Sequence, residues 1–335
     1  SLVSLKNSDF GSYELIVVDD ASQDSTPQVA YELGARVVRL SQQSGPAQAR
    51  NRGAEIAQGR ILLFIDADVC VQRTTLSEFA RVFREDATVA AAFGSYDDRP
   101  KAGNLVSQYR NLLHHYVHQQ GCKEASTFWA GCGAVRRDVF RDIGGFDARY
   151  ARPCSEDIEL GIRLRKAGHR IILNPDIQVT HLKHWSFVGM LKADIFDRAI
   201  PWTTLILSER DCPNDLNVSH SQRVCVLLAG LLSILFLAAS VVAPPVALLP
   251  VGGVLFIAAI DRLSVKQRIS TLVRILSLIG VLIIGWQLAA RFGYWSSIPL
   301  VLVSAVFLLN LPFYLFIARA RGPLFACISL PLQLL

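Results

Sequence analysis

The sequence predicts an α/β domain followed by a helical membrane region, on three observations. The apolar run Ile61–Ile65 reads as a buried parallel strand and closes on Asp66-Ala67-Asp68, two carboxylates one residue apart. Similar short apolar runs alternate with helical segments, the pattern of βαβ units. From Gln222 onward the chain becomes a series of long apolar stretches with eight Lys and Arg and a single acid, Asp261.

The elements follow in order. Glu14–Val18 is a β-rich run ending in Asp19-Asp20, and Ser25-Thr26-Pro27 starts a helix with proline in its first turn. Val37-Val38 gives a short second strand. Gly45-Pro46 opens a helix to about Ala57, ended by Gly59, and the strand at 61–65 follows. "Apolar strand, then acids" thus occurs twice, and the expectation is that Asp19 and Asp66 lie on one sheet edge. That edge is where open α/β sheets bind ligands. Like charges so close need a cation or hydrogen bonds, and a hard divalent cation bridging to phosphate oxygens supplies one.

Further on, Phe128–Ala134 combines aromatics with small residues, where Gly131 and Gly133 would let backbone approach a ligand. A glycine-containing strand or bulge is the plain alternative. Gly144-Gly145-Phe146-Asp147 is a turn with an apolar anchor. Ser155-Glu156-Asp157 starts a helix ending at Gly168, with Ser155 expected as its cap and the acids complementing its dipole. His181 follows a short strand at 177–180.

Before Gln222 the chain carries 26 basic and 27 acidic residues, so the pI of 9.0 belongs to the tail. Those basic residues sit between apolar runs rather than on a folded face, which speaks against nucleic-acid binding. Residues 224–260 read as a hairpin of two spans around Pro244-Pro245, and 269–290 and 297–318 as two more, each near the ~20 residues a bilayer needs. A truncated fifth would start at Leu324. Arg262, Lys266 and Arg268, then Arg319 and Arg321, mark cytoplasmic loops by the positive-inside rule, and put the N-terminal domain on the cytoplasmic side. Phe187–Ser208 reads as an amphipathic helix at the membrane interface, interrupted near Pro201. The seven cysteines are scattered, as in a reducing cytoplasm. The only methionine is Met190, so a chain cut at both ends is expected. His114, His118 and Cys122 share a helical face with zinc-type spacing, although a packed stripe is the simpler reading.

Together these residues resemble the inverting family-2 glycosyltransferases, which have the A-type nucleotide-diphospho-sugar transferase fold, a Rossmann-like mixed sheet. Glu14–Asp20 with Ala21–Ser25 is similar to the family's VVDDxSxD segment, and Gly45–Gly53 to its GxxxARNxG. The strand with Asp66-Ala67-Asp68 is similar to its DxD element. Trp129–Ala134 with Arg136-Arg137 is similar to its glycine loop, Gly144–Asp147 to its GGFD, and Glu156-Asp157 to its ED element. The family's first strand is missing from the chain.

The resemblance implies a catalytic domain over 1–185, an interfacial helix and linker over 186–221, and about four membrane helices over 222–335. Asp19 would accept from the nucleobase. Asp66 would contact ribose or help hold the metal. Asp68, with His181, would ligate Mg²⁺ or Mn²⁺ on the diphosphate. Asp157 would be the general base. Arg50, Gly131, Gly133 and Glu156 would complete the nucleotide-sugar site. His184 competes with His181. No QxxRW is present, which favours single-sugar transfer, and Arg198–Trp202 lies in a roughly similar place. The implied protein is an integral enzyme of the inner or plasma membrane in envelope polysaccharide synthesis. It would move sugar from a nucleotide-sugar donor to a lipid-linked or glycan acceptor among membrane lipids. A polyprenyl-phosphate sugar synthase is the nearest alternative, and a non-catalytic nucleotide-sugar-binding scaffold is one of another class.

Overall fold

The computed structural model describes residues 1–210, 213–242 and 297–333, and its chain falls into two compact units. The first comprises Ser1–Lys101, Val117–Lys183 and Lys192–Leu216. Its strands are β1 (Ile16–Asp19), β2 (Arg36–Arg39), β3 (Ile61–Ile65), β4 (Val69–Val71), β5 (Val89–Tyr96), β6 (Cys132–Arg136) and β7 (Arg170–His181). Its helices are α1 (Leu2–Lys6), α2 (Thr26–Glu32), α3 (Pro46–Ile56), α4 (Thr75–Glu85), the end of α5 (Leu105–Gln120), α6 (Arg137–Asp142) and α7 (Glu156–Lys166).

β1 and β2 pair in parallel through α2, as a βαβ unit requires. They form a two-stranded sheet of their own, and β3 belongs to a five-stranded sheet of order β3-β6-β5-β7-β4. This corrects two expectations. β3 pairs antiparallel with β6, and Asp19 and Asp66 end strands of different sheets. An apolar run of five residues fits a buried strand of either sense, since only the partner decides direction.

β5 is buried along its whole length, which its sequence Val89-Ala-Ala-Ala-Phe-Gly-Ser-Tyr96 allows by keeping side chains small. It pairs in parallel with β7, and the register jumps from Phe93↔Leu173 to Ser95↔Gln178. Pro175 falls inside that jump, where no ladder hydrogen bond is asked of it. A side chain on Gly94 would meet the Ile177 carbonyl at 2.2 Å, so only glycine lets β7 close here. α4 covers one face with Leu76, Phe79 and Phe83. α7 and α3 cover the other, around Phe93, Phe128, Phe146, Leu160 and Leu164. Each such side chain contributes about 1.5–3 kcal/mol by burial. The segment Asp66–Asp68 carries the chain from edge strand β3 to the opposite edge β4, so its carboxylates lie at the end of the sheet.

The segment Lys192–Leu216 contains a π-helix over Ala193–Ala199 and α9 (Ile200–Glu209). The interruption expected near Pro201 is thus a π turn just ahead of it. Ile195, Phe196, Ile200 and Leu207 are exposed. Asp215 fastens the end of the segment, accepting from the backbone of Cys122 and Ser126.

The second unit comprises Ala102–Tyr116, His184–Leu191 and Asn217–Leu335. It contains the start of α5, most of α8 (Phe187–Lys192), α10 (His220–Val242), α11 (Ser297–Leu309), α12 (Leu311–Arg321) and α13 (Pro323–Ser329). Tyr109, Phe187, Met190, Phe313 and Ile317 form its core. The expected span over 297–318 is two helices broken at Asn310, whose buried amide donates to the Val306 carbonyl and accepts from Gln222. The apolar stretch from Leu324 forms a short helix and a 3₁₀ turn. Among the described residues no helix is long and apolar enough to cross a membrane. α10 is 23 residues long, and the part whose side chains are described, 220–235, falls short of the ~20 apolar residues needed. The expected span at 269–290 and the second half of the 224–260 hairpin lie outside the described residues.

Candidate active site

Four segments of the first unit bring the acids together. β3 ends at Ile65, and the Asp66 amide donates to the Gly131 carbonyl at 3.1 Å, where β6 begins. β4 pairs with the end of β7 so that Val69 faces His181, and the Leu182 amide donates to the Asp68 carbonyl at 2.8 Å. His181 therefore arrives beside Asp68, its Nε2 3.7 Å from Oδ2. The His181 ring stacks on Tyr96 at 4.3 Å and 14°. Burial acts to raise the pKa of Asp68, but His181 and Lys183 outweigh it and hold the carboxyl below its usual range. His184 is exposed and follows the strand's end.

Arg50 ties two further acids. From α3 its guanidinium donates to Glu156 at 2.7 Å and to Asp66 at 2.9 Å, and it lies over the Phe146 ring. Burial opposes its charge, but the carboxylates of Asp66, Glu156 and Asp157 outweigh it and raise its pKa. The next residue, Asn51, clasps the turn at Phe146, accepting from its amide at 2.8 Å and donating to its carbonyl at 2.7 Å. Gly144 and Gly145 have positive φ (83° and 70°), the conformation that lets this turn deliver Phe146 into the core.

Asp157 sits in the first turn of α7. Its Oδ2 accepts from the Ala130 amide at 3.1 Å and its Oδ1 from the Ile158 amide at 2.8 Å. Burial and the neighbouring Glu156 carboxylate push its pKa up to about 7, against the pull of Arg50 and the Ala130 N–H. A carboxyl poised there takes a proton at neutral pH, the condition for a general base. Ser155 precedes the helix but makes no capping hydrogen bond, which corrects the expected cap; its hydroxyl is buried without a partner. Glu156 accepts instead from the Cys154 amide.

Gly131 and Gly133 lie against protein. A side chain on Gly131 would strike the Trp129 indole at 2.5 Å, and one on Gly133 the Trp129 carbonyl at 2.3 Å. Asp19 is buried at the end of β1 in the other sheet. Its Oδ1 accepts from the Ser22 amide, while its buried Oδ2 lies 3.2 Å from Arg39 Nε and makes no hydrogen bond. Asp20, not singled out from the sequence, accepts from the amides of Ser44 and Gly45 at 2.7 and 2.9 Å and so sets the entry to α3. The doublet Asp19-Asp20 was the available signal. The zinc-spaced stripe does not assemble: His118 Nδ1 donates to the Gly94 carbonyl at 3.0 Å, and Cys122 is exposed.

Among the described residues no three His, Cys, Asp or Glu side chains form a metal cluster. Asp68 and His181 nonetheless fit a cation that takes two protein ligands and fills its remaining positions from a substrate diphosphate. The mixed carboxylate–imidazole set suits Mn²⁺ as well as Mg²⁺.

Residues 1–144 match the family model described as glycosyl transferase family 2. Poly-beta-1,6-N-acetyl-D-glucosamine synthase of Staphylococcus aureus is 25% identical over 174 residues, covering 48% of this chain and 41% of that protein. The chain thus spans about two fifths of the length of that curated relative. Among solved structures, S. aureus TarS 1–349 in complex with UDP-GlcNAc is 22% identical at a TM-score of 0.45, covering 55% of this chain and 54% of that one. The mannosyltransferase PcManGT from Pyrobaculum calidifontis, in complex with GDP-Man and Mn²⁺, is 18% identical at a TM-score of 0.46, covering 98% and 81%.

Proposed function

We propose that this chain, whose residues 1–144 match the glycosyl transferase family 2 model, is an A-type, metal-assisted, inverting sugar transferase with a membrane-borne hydroxyl acceptor. Asp157 carries the reading: a carboxyl whose pKa is pushed up to about 7 by burial and Glu156, and whose Oδ2 is fixed by the Ala130 amide. Asp157 removes the proton from the acceptor hydroxyl as that oxygen attacks the anomeric carbon. The carbon–oxygen bond to the diphosphate breaks on the opposite face, which inverts the centre. Asp68 and His181 would hold Mg²⁺ or Mn²⁺, which would supply Lewis-acid neutralisation of the charge on the leaving diphosphate. Asp19 Oδ2, ion-paired with Arg39 but without a hydrogen bond, supports its role as the nucleobase acceptor, because a buried carboxylate oxygen without a hydrogen bond calls for a donor. Arg50 and Glu156 hold the donor pocket together.

A polyprenyl phosphate would attack already ionised and would need no base, so a tuned Asp157 favours a hydroxyl. A sugar-binding scaffold would have no use for that tuning. Purified full-length protein, given a panel of nucleotide sugars, should release nucleoside diphosphate only with Mg²⁺ or Mn²⁺. Asp68→Asn should reduce that release by about 10²-fold or more, as the loss of one of two protein ligands implies. Release that persists in EDTA would sink the metal part of the reading.

The membrane assignment rests on the uncharged residues 224–260 and on the apolar face of α10, where Val226, Leu227 and Ile234 are exposed. By the positive-inside rule, Arg262, Lys266, Arg268, Arg319 and Arg321 would put the catalytic domain on the cytoplasmic side. Membranes from cells expressing the full chain should retain it through an alkaline carbonate wash; recovery in the supernatant would rule out spanning helices.

A further inference from the structure

Three fastenings of the site converge on one half-buried side chain, Trp129. Its indole meets the Tyr96 ring edge-on at 4.8 Å and 80°. Tyr96 in turn stacks on His181 at 4.3 Å, and His181 points Nε2 at Asp68. The same indole fills the space beside Gly131, where a Cβ would lie 2.5 Å from the ring, and the Gly131 carbonyl accepts from the Asp66 amide. Between them, the Ala130 amide holds Asp157. Trp129 also meets His118 edge-on at 5.3 Å, and His118 is anchored to β5 through the Gly94 carbonyl.

A ring wedged in this way fixes its neighbours through shape. Imidazole has one useful direction for each nitrogen, and its plane here is set by the face of Tyr96. Tyr96 is held edge-on by an indole that packs against His118 and fills the space a Cβ on Gly131 would need. Outer groups that orient a ligating histidine contribute measurably to metal affinity. We infer that Trp129 is a positioning residue that sets the plane of His181 through Tyr96, while placing the main-chain groups that fasten Asp66 and Asp157. This rests on the metal reading of Asp68 and His181.

The test is Mn²⁺ binding to the full chain in detergent micelles, alone and with inorganic pyrophosphate, read as free Mn²⁺ by electron paramagnetic resonance. Trp129→Leu and Tyr96→Leu should each weaken binding about 10-fold or more, and Tyr96→Phe, which keeps the stacked ring, should bind as wild type. In a His181→Ala background, Trp129→Leu should have no further effect. Wild-type affinity in Trp129→Leu, or a full additional loss without His181, overturns the assignment. If Trp129→Leu fails to fold by circular dichroism, Gly131→Ala, whose Cβ would lie 2.5 Å from the same ring, displaces it and should reproduce the loss; unchanged binding there is equally decisive against it. A wild-type protein that binds no Mn²⁺ under either condition defeats the metal reading and this inference together. Binding by wild type with an unaffected variant defeats only the role of Trp129.

Discussion

Asp157→Asn is expected to lower turnover by about 10²–10⁴-fold, the usual worth of a general base, with donor affinity unchanged. The amide keeps the shape and still accepts from Ala130, but it cannot take a proton. Wild-type turnover should rise with pH through about 7, where Asp157 ionises, and that limb should vanish in the variant. Stability should move the other way. The folded protein holds this proton more tightly than the unfolded chain, whose carboxyl titrates near ~4. Ionisation therefore opposes folding: the penalty is absent below ~4, grows with pH, and is complete above the folded value, reaching on the order of 2–4 kcal/mol. Asp157→Asn should thus melt at a higher temperature than wild type at pH ~8 and at much the same temperature at pH ~4. Unimpaired turnover in the variant would remove the base and favour an acceptor that arrives ionised.

Arg50→Ala is expected to destabilise the fold by about 3–5 kcal/mol, the cost of leaving one partner of a buried ion pair alone. Glu156, its side chain only 5% exposed, would lose its ion-pair partner, and Asp66 would lose the same cation. Melting should fall by roughly 10 °C. The acid limb of the pH profile should also climb, because Arg50 is what draws the pKa of Asp157 down. Arg50→Lys preserves the charge but not the fork that reaches both carboxylates, and should recover only part of the loss. A fall of only a degree or two in Arg50→Ala would show that the two contacts contribute little.

What the sequence made legible was chemistry at strand ends. Asp19, Asp66 and Asp68 fall where apolar runs stop, and the observed strands end within a residue or so of those expected. Sheet pairing was not legible. β3 has its partner β6 more than sixty residues downstream, and nothing within the run distinguishes an antiparallel partner from a parallel one. Asp20 and Asn51 were hidden for a related reason: each acts on backbone far along the chain, Asn51 on Phe146 across 95 residues. Ser155 looked like a helix cap because its residue type and place were right. Its hydroxyl makes no hydrogen bond, a fact of orientation that residue type does not encode. Likewise, composition marks 297–318 as one apolar run, whereas the buried hydrogen bonds of Asn310 divide it.

The Arg50–Glu156 contact closes across 106 residues, and the Asn51 clasp across 95. Closures that long are entropically slow and come late in folding. On the ribosome, α3 emerges long before Glu156, the more distant of the two carboxylates that hold Arg50, and Asp66 and Asp68 long before His181. A nascent chain halted before β7 therefore presents an acidic turn without His181, with β5 lacking its parallel neighbour. Completion of β7 is the event that brings His181 beside Asp68 and gives β5 its parallel neighbour, so both wait on synthesis through residue 181.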